Sequence, residues 1–137
     1  MIDRFKEILH DSNNSYTLPR QTVFEQLIKK GPTTSTQLAK ACAPTIDRAT
    51  TYRTIALFEK LGVVNRIWHG FKSQIELSEI FTPHHHHASC QHCGVSIDVV
   101  DPDLEKLLGR IARERHFLAL GHVIEITGYC ERCQLKQ

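Results

Sequence analysis

No run in this chain comes near the roughly 20 consecutive apolar residues that a helical membrane span needs. The first residues, Met1-Ile2-Asp3-Arg4-Phe5-Lys6-Glu7, are charged and lack the apolar core of a secretory signal. A soluble cytoplasmic protein with no membrane partner is therefore expected. A strong charge of one sign is also missing: 17 Lys and Arg stand against 15 Asp and Glu. Internal repeats and low-complexity segments are absent, apart from one histidine run. Outside paired motifs there is a single cysteine, Cys42, which lies between two alanines and reads as a small buried hydrophobe. The length of 137 residues permits one compact domain or two small lobes. Lobes of about 50–80 residues would lean on a metal or a partner subunit.

The remaining four cysteines form two Cys-x-x-Cys knuckles, Cys90-Gln-His-Cys93 and Cys130-Glu-Arg-Cys133, and His84-His85-His86-His87 runs just before the first. In a reducing compartment such pairs point to metal thiolates, with a redox pair or disulfide as the alternative. Four thiolates suit Zn²⁺ in a closed tetrahedral site that holds chain segments together. Charge is also unevenly distributed. Residues 1–75 hold 11 Lys and Arg against 6 acidic residues, and residues 76–137 hold 6 against 9. The first half suits a polyanion and the second suits cations.

Periodicity divides the chain similarly. Residues 3–11 read as a short amphipathic helix. A second helix starts near Pro19 and stops at Gly31-Pro32, and a short third follows the caps Thr33-Thr34-Ser35. A fourth is expected from Ile46 to Leu61. It turns Thr51, Ile55 and Phe58 inward, Ala49 and Arg53 outward, and Tyr52 to the flank. Residues 63–68 and 73–77 then read as two strands joined by His69-Gly70-Phe71-Lys72. Three helices and a hairpin describe a winged helix-turn-helix, although another small α+β domain fits the same pattern. Residues 80–83 form a hinge between 1–79 and 84–137. Beyond it, Val95, Ile97 and Val99 alternate as a strand, and Asp101-Pro102-Asp103 starts a helix running to about Arg115. Leu118, Leu120, His122, Ile124 and Ile126 alternate through an expected long strand.

In an extended segment the histidines alternate between faces, so His84 and His86 serve one site and His85 and His87 another. A solvated run is the plain alternative. His122 sits among apolar neighbours, Glu105 flanks the apolar stripe of its helix, and Asp98 and Glu76 lie on strands. Each of these has an ordinary structural reading as well.

Taken in order, Ala49-Thr50-Thr51-Tyr52-Arg53, Ile75-Glu76-Leu77, His84 to His87, both knuckles and Gly128-Tyr129-Cys130 closely resemble the ferric uptake regulator family over nearly the whole length. The resemblance implies an α+β protein: a winged helix-turn-helix DNA-binding domain followed by a small α/β dimerisation domain with a structural zinc. It implies a homodimeric, metal-dependent repressor on palindromic AT-rich operators, with neither enzymatic activity nor an organic small-molecule substrate. It places structural Zn²⁺ on Cys90, Cys93, Cys130 and Cys133, and a second site on His84, His86, Glu105 and His122. The sensing site falls on Glu76, His85 or His87, and Asp98.

This chain departs from the family in places. No histidine occurs between the second and third helices. Glu79 stands where zinc-responsive members often have a cysteine. Glu76 lies farther from the histidines than usual, so Glu79 is a candidate in its place, and His69 is a candidate for the missing nitrogen. Nitrogen and oxygen ligands admit Fe²⁺, Mn²⁺ or Zn²⁺, and Asp98 is compatible with peroxide sensing through Fe²⁺. For DNA, Tyr52 and Arg53 are the expected base readers, with Thr50 on the same helix, and Arg20 and Lys72 the expected phosphate contacts. Two other classes compete. A zinc deaminase would carry Pro-Cys-x-x-Cys, but Ser89 precedes Cys90. A metal store or chaperone could use the same ligands without needing the Ala49–Arg53 helix.

Overall fold

The computed structural model describes residues 1–69 and 72–135. Gly70 and Phe71 and the side chains of Trp68, His69 and Lys72 lie outside the described residues, and with them the expectations for His69 and Lys72. The chain forms two compact units, Met1–Pro83 and His84–Gln137. Among the described residues no helix is long and apolar enough to cross a membrane.

The first unit contains α1 (Ile2–Asp11), α2 (Leu18–Lys30), α3 (Ser35–Cys42), α4 (Arg48–Lys60), β1 (Val64–His69) and β2 (Lys72–Leu77). Local chemistry sets the helix ends. Gly31, at φ 65°, ends α2 in a conformation that costs side-chain-bearing residues energy. Thr34 and Gln37 form a reciprocal capping box at the start of α3. The fourth helix begins at Arg48 and not at Ile46, because the Asp47 carboxylate accepts the Thr50 N–H at 2.9 Å and fixes the cap there. β1 and β2 pair antiparallel from Val64↔Leu77 to His69↔Lys72. Thr33 adds a one-residue third rung by exchanging two backbone hydrogen bonds with Ile75, at 3.0 and 2.7 Å. The stretch that lacks a histidine is thus stitched beside Glu76.

An aromatic cluster centres this core. The Phe5 and Phe24 rings stack at 4.0 Å, Phe58 meets Phe5 edge-on at 5.2 Å, and Phe81 meets Phe24 at 5.0 Å. Thr51, Ile55 and Phe58 face this interior, while Ala49 and Arg53 face outward and Tyr52 is half-buried.

The second unit contains β3 (His86–Cys90), β4 (Ser96–Val99), α5 (Pro102–Glu114), β5 (Glu125–Gly128) and the one-turn α6 (Glu131–Gln134). The sheet order is β4-β3-β5, with β4 antiparallel and β5 parallel to β3. Asp101 caps α5 by accepting from the N–H groups of Asp103 and Leu104, at 2.8 and 3.2 Å. The long strand expected over 118–126 is not formed; only Glu125–Gly128 is a strand. The ladder with β3 begins at His87↔Glu125, and among the described residues, 118–124 pair with no other strand. Leu118, Leu120 and Val123 stand 83%, 94% and 94% exposed.

Candidate metal centres and the exposed face of α4

The parallel pairing of β3 with β5 brings the knuckles together. Cys90 is in register with Gly128, and the Gln91 N–H donates to the Gly128 carbonyl at 2.8 Å. The first knuckle is the turn between β3 and β4. The second runs from β5 into α6. As a result all four sulfurs lie within 4.8 Å of one another. The Cys93 and Cys130 Sγ atoms are 3.7 Å apart, far beyond the roughly 2.05 Å of a disulfide. Metal–sulfur bonds of about 2.3 Å around a tetrahedral ion put sulfurs roughly 3.8 Å apart, so the set fits Zn²⁺. Electrostatics agree with this geometry. The Cys130 N–H, followed by the Cys93 amide, brings the Cys90 thiol down to about 5. Burial, together with the neighbouring sulfurs, pushes Cys133 up to about 12. Sulfurs this crowded cannot all carry charge without a cation among them.

The histidine run divides as the pleat requires. His84 and His86 turn toward Glu105, one turn into α5, and toward His122 on the segment after it. His86 Nε2 is 2.7 Å from Glu105 Oε1 and 3.4 Å from His122 Nε2. His84 Nε2 is 3.1 Å from His122 Nε2 and 3.4 Å from Glu105 Oε1. An imidazole nitrogen offers one proton or one lone pair, too few for all these approaches. The three approaches of 3.1–3.4 Å fit a shared ion, since ligands about 2.0–2.2 Å from a tetrahedral centre stand roughly 3.3–3.6 Å apart. The 2.7 Å His86–Glu105 approach is instead a direct hydrogen bond. The His86 hydrogen bond, with the nearby imidazoles, holds the Glu105 carboxyl below its usual range.

His85 and His87 form the other pair, with ring centroids 4.9 Å apart. His87 Nδ1 lies 3.3 Å from Ser96 Oγ and 3.7 Å from Asp98 Oδ1, both on β4. Asp98 thus approaches the ring nitrogen of His87. In the first unit Glu76 is buried on β2, opposite Asn65, and Glu79 is exposed just beyond the strand.

On α4 the expected DNA-reading residues share the exposed N-terminal end. Arg53 donates to the Thr50 hydroxyl at 3.0 Å, and Thr50 donates to Asp47 at 2.6 Å. Arg48 donates to the Tyr52 hydroxyl at 3.1 Å. The Thr36 side chain of α3, followed by Arg48, lowers the Tyr52 phenol from its usual value. Arg20 binds the α1–α2 connection, donating to the Ser15 carbonyl and, at 3.0 Å, to Asn14 Oδ1. Sequence reasoning passed over Arg48, Thr36 and Ser96. The i, i+4 spacing of Arg48 and Tyr52 was a signal available for the first.

The model of the ferric uptake regulator family matches residues 6–127. A ferric uptake regulation protein of Campylobacter upsaliensis is 30% identical, over 99% of this chain and 90% of that protein. The peroxide operon regulator of Bacillus subtilis is 27% identical, over 96% and 92%. Among solved structures, the ferric uptake regulator of Vibrio cholerae superposes with a TM-score of 0.76 at 30% identity, covering 91% of this chain and 98% of that one.

Proposed function

The chain belongs to the ferric uptake regulator family, and from that premise we propose that it is a homodimeric repressor of metal-homeostasis genes, binding a palindromic AT-rich operator when its sensing site is loaded. As a member of the family it is a metal-responsive, DNA-binding transcription regulator and not an enzyme. Residues 1–79 act as the DNA-binding domain, 80–83 as the hinge and 84–137 as the metal-binding dimerisation domain. The observation that carries the reading is the division of the histidine run, which sends His84 and His86 to Glu105 and His122 and leaves His85 and His87 as a separate pair.

In this reading Cys90, Cys93, Cys130 and Cys133 hold a structural Zn²⁺. His84, His86, Glu105 and His122 hold a second divalent ion, and His85, His87, Asp98 and Glu76 or Glu79 form the sensing set for Fe²⁺, Mn²⁺ or Zn²⁺. A bound ion supplies positive charge that draws these donors into one arrangement. Regulation then follows from linkage: DNA affinity rises only by the ion's preference for the DNA-competent arrangement of the chain, and DNA tightens ion binding by the same factor. Dimers place two copies of α4 in successive major grooves about 34 Å apart. The apolar residues left exposed in the second unit, Leu107, Ile111, Leu118, Leu120 and Val123, supply a surface for a second copy.

Protein retaining only thiolate-bound zinc, titrated with each metal against a palindromic duplex pool, tests the proposal. Tightening by at least one metal is expected, and unchanged affinity with all three would refute it. Because one relative is a peroxide operon regulator, peroxide sensing is the second reading. It requires hydrogen peroxide to break its O–O bond, transferring one oxygen atom to a histidine ring of the Fe²⁺-loaded protein and releasing the other as water, visible as a mass increase of one oxygen atom that the Mn²⁺-loaded protein does not show.

A further inference from the structure

Arg48 is the first residue of α4, at the helix end where the unpaired N–H groups already concentrate positive charge. A cation there opposes the helix dipole, which the N-cap carboxylate of Asp47 offsets only in part. The side chain is exposed, and its guanidinium lies 5.4 Å from the Tyr52 ring centroid while donating to the Tyr52 hydroxyl at 3.1 Å. Tyr52 is itself half-buried against the core of the first unit. Asp47, the nearest acidic residue in sequence, is engaged by the N–H and hydroxyl of Thr50. An exposed guanidinium at the start of the helix, held in one orientation by an aromatic neighbour, is pre-organised for recognition.

We infer that Arg48 reads a guanine in the operator half-site, held for that task by Tyr52, so that the two side chains recognise a G·C pair next to a thymine. The inference rests on DNA binding through α4 as set out above. A guanidinium has five N–H donors, and the bond to Tyr52 uses one. The donors that remain include a pair able to meet guanine O6 and N7 together, while the tyrosine ring packs on the adjacent thymine methyl. Ala49 and Ala56 on the same exposed surface keep the neighbouring strip low enough for the helix to enter the groove. Arg53 is held separately, by Thr50. The helix therefore presents two arginines, each with its own partner, and the operator is AT-rich but contains at least one obligatory G·C pair per half-site.

The test selects duplexes from a random palindromic pool with full-length, metal-loaded protein, then measures affinity for each base at each half-site position. The wild-type chain is expected to require one G·C pair beside a thymine. Arg48→Ala should bind the selected duplex roughly 5- to 150-fold more weakly per half-site and lose preference at that position alone. Arg48→Lys keeps the charge without the planar fork and should lose the same preference. Tyr52→Phe keeps the ring and should weaken that discrimination by releasing the guanidinium. If Arg48→Ala weakens all sequences alike, or Arg48→Lys discriminates like the wild type, the inference is wrong. If the wild-type chain enriches no duplex, the proposed function falls and takes this inference with it. A G·C preference at that position that survives in Arg48→Ala overturns this inference alone.

Discussion

Replacing Cys93 by serine asks whether the four-sulfur cluster carries the fold of the His84–Gln137 unit. Among the described residues of that unit, the only buried side chains in the hydrophobic class are Cys90 and Cys133. No residue of α5 is buried, and Leu107 and Ile111 remain 41% and 46% exposed. A structural zinc site contributes on the order of 10–16 kcal/mol of apparent binding free energy, as much as the roughly 5–15 kcal/mol that holds a whole domain together. With no apolar core in reserve, the unit cannot absorb the loss of the cluster. Cys93→Ser should lower thiolate-bound zinc by one equivalent per chain, measured by mercurial release into a chromophoric chelator. It should also abolish the unit's calorimetric transition and leave monomers in sedimentation, while the Met1–Pro83 unit still melts cooperatively. Cys42→Ala is the control: fully buried in the other unit's core, it should cost about 1–2 kcal/mol and leave zinc unchanged. A Cys93→Ser protein that keeps its zinc and both transitions would refute the reasoning.

Three further outcomes are expected. Phe58→Ala removes the ring that meets Phe5 at the centre of the first unit and should cost that unit about 3–5 kcal/mol in denaturant melts; an unchanged midpoint would displace Phe58 from the core's centre. Leu118→Asp changes a residue that is 83% exposed in the single chain, so it should convert dimers to monomers without releasing zinc. Persistent dimers in sedimentation would move the interface elsewhere. The Thr50 hydroxyl and N–H hold the Asp47 carboxyl below its ordinary value. A depressed carboxylate contributes stability that is present above its unfolded value and lost as pH falls through its folded one. Amide-exchange protection over the first turn of α4, taken relative to the intrinsic exchange rate at each pH, should therefore fall only on acidification below about pH 4, and Asp47→Asn should remove that dependence.

What could be read from the sequence was chemistry enforced by near neighbours. Asp101-Pro102-Asp103 started α5 as expected, and Gly31 stopped α2, because a cap or a positive φ acts within one turn. The division of the histidines was legible for the same reason, since alternation follows from extended backbone alone. Finding Glu105 and His122 opposite His84 and His86 was a different matter: α5 must first cross to the sheet, and only the family resemblance supplied that placement. The failure at 118–124 reveals most about the limits of pattern reading. Alternating apolar residues record that one face is to be covered, without recording by which chain. β3 begins at His86, which the register sets against Ile124, and the ladder with β5 starts one residue later at His87↔Glu125. A segment patterned as a strand, exposed in its own chain and unpaired among the described residues, is suited to cover by a second copy. The same alternation that misplaced a strand in the single chain is thus an argument for the dimer, and Leu118→Asp is where the two readings separate.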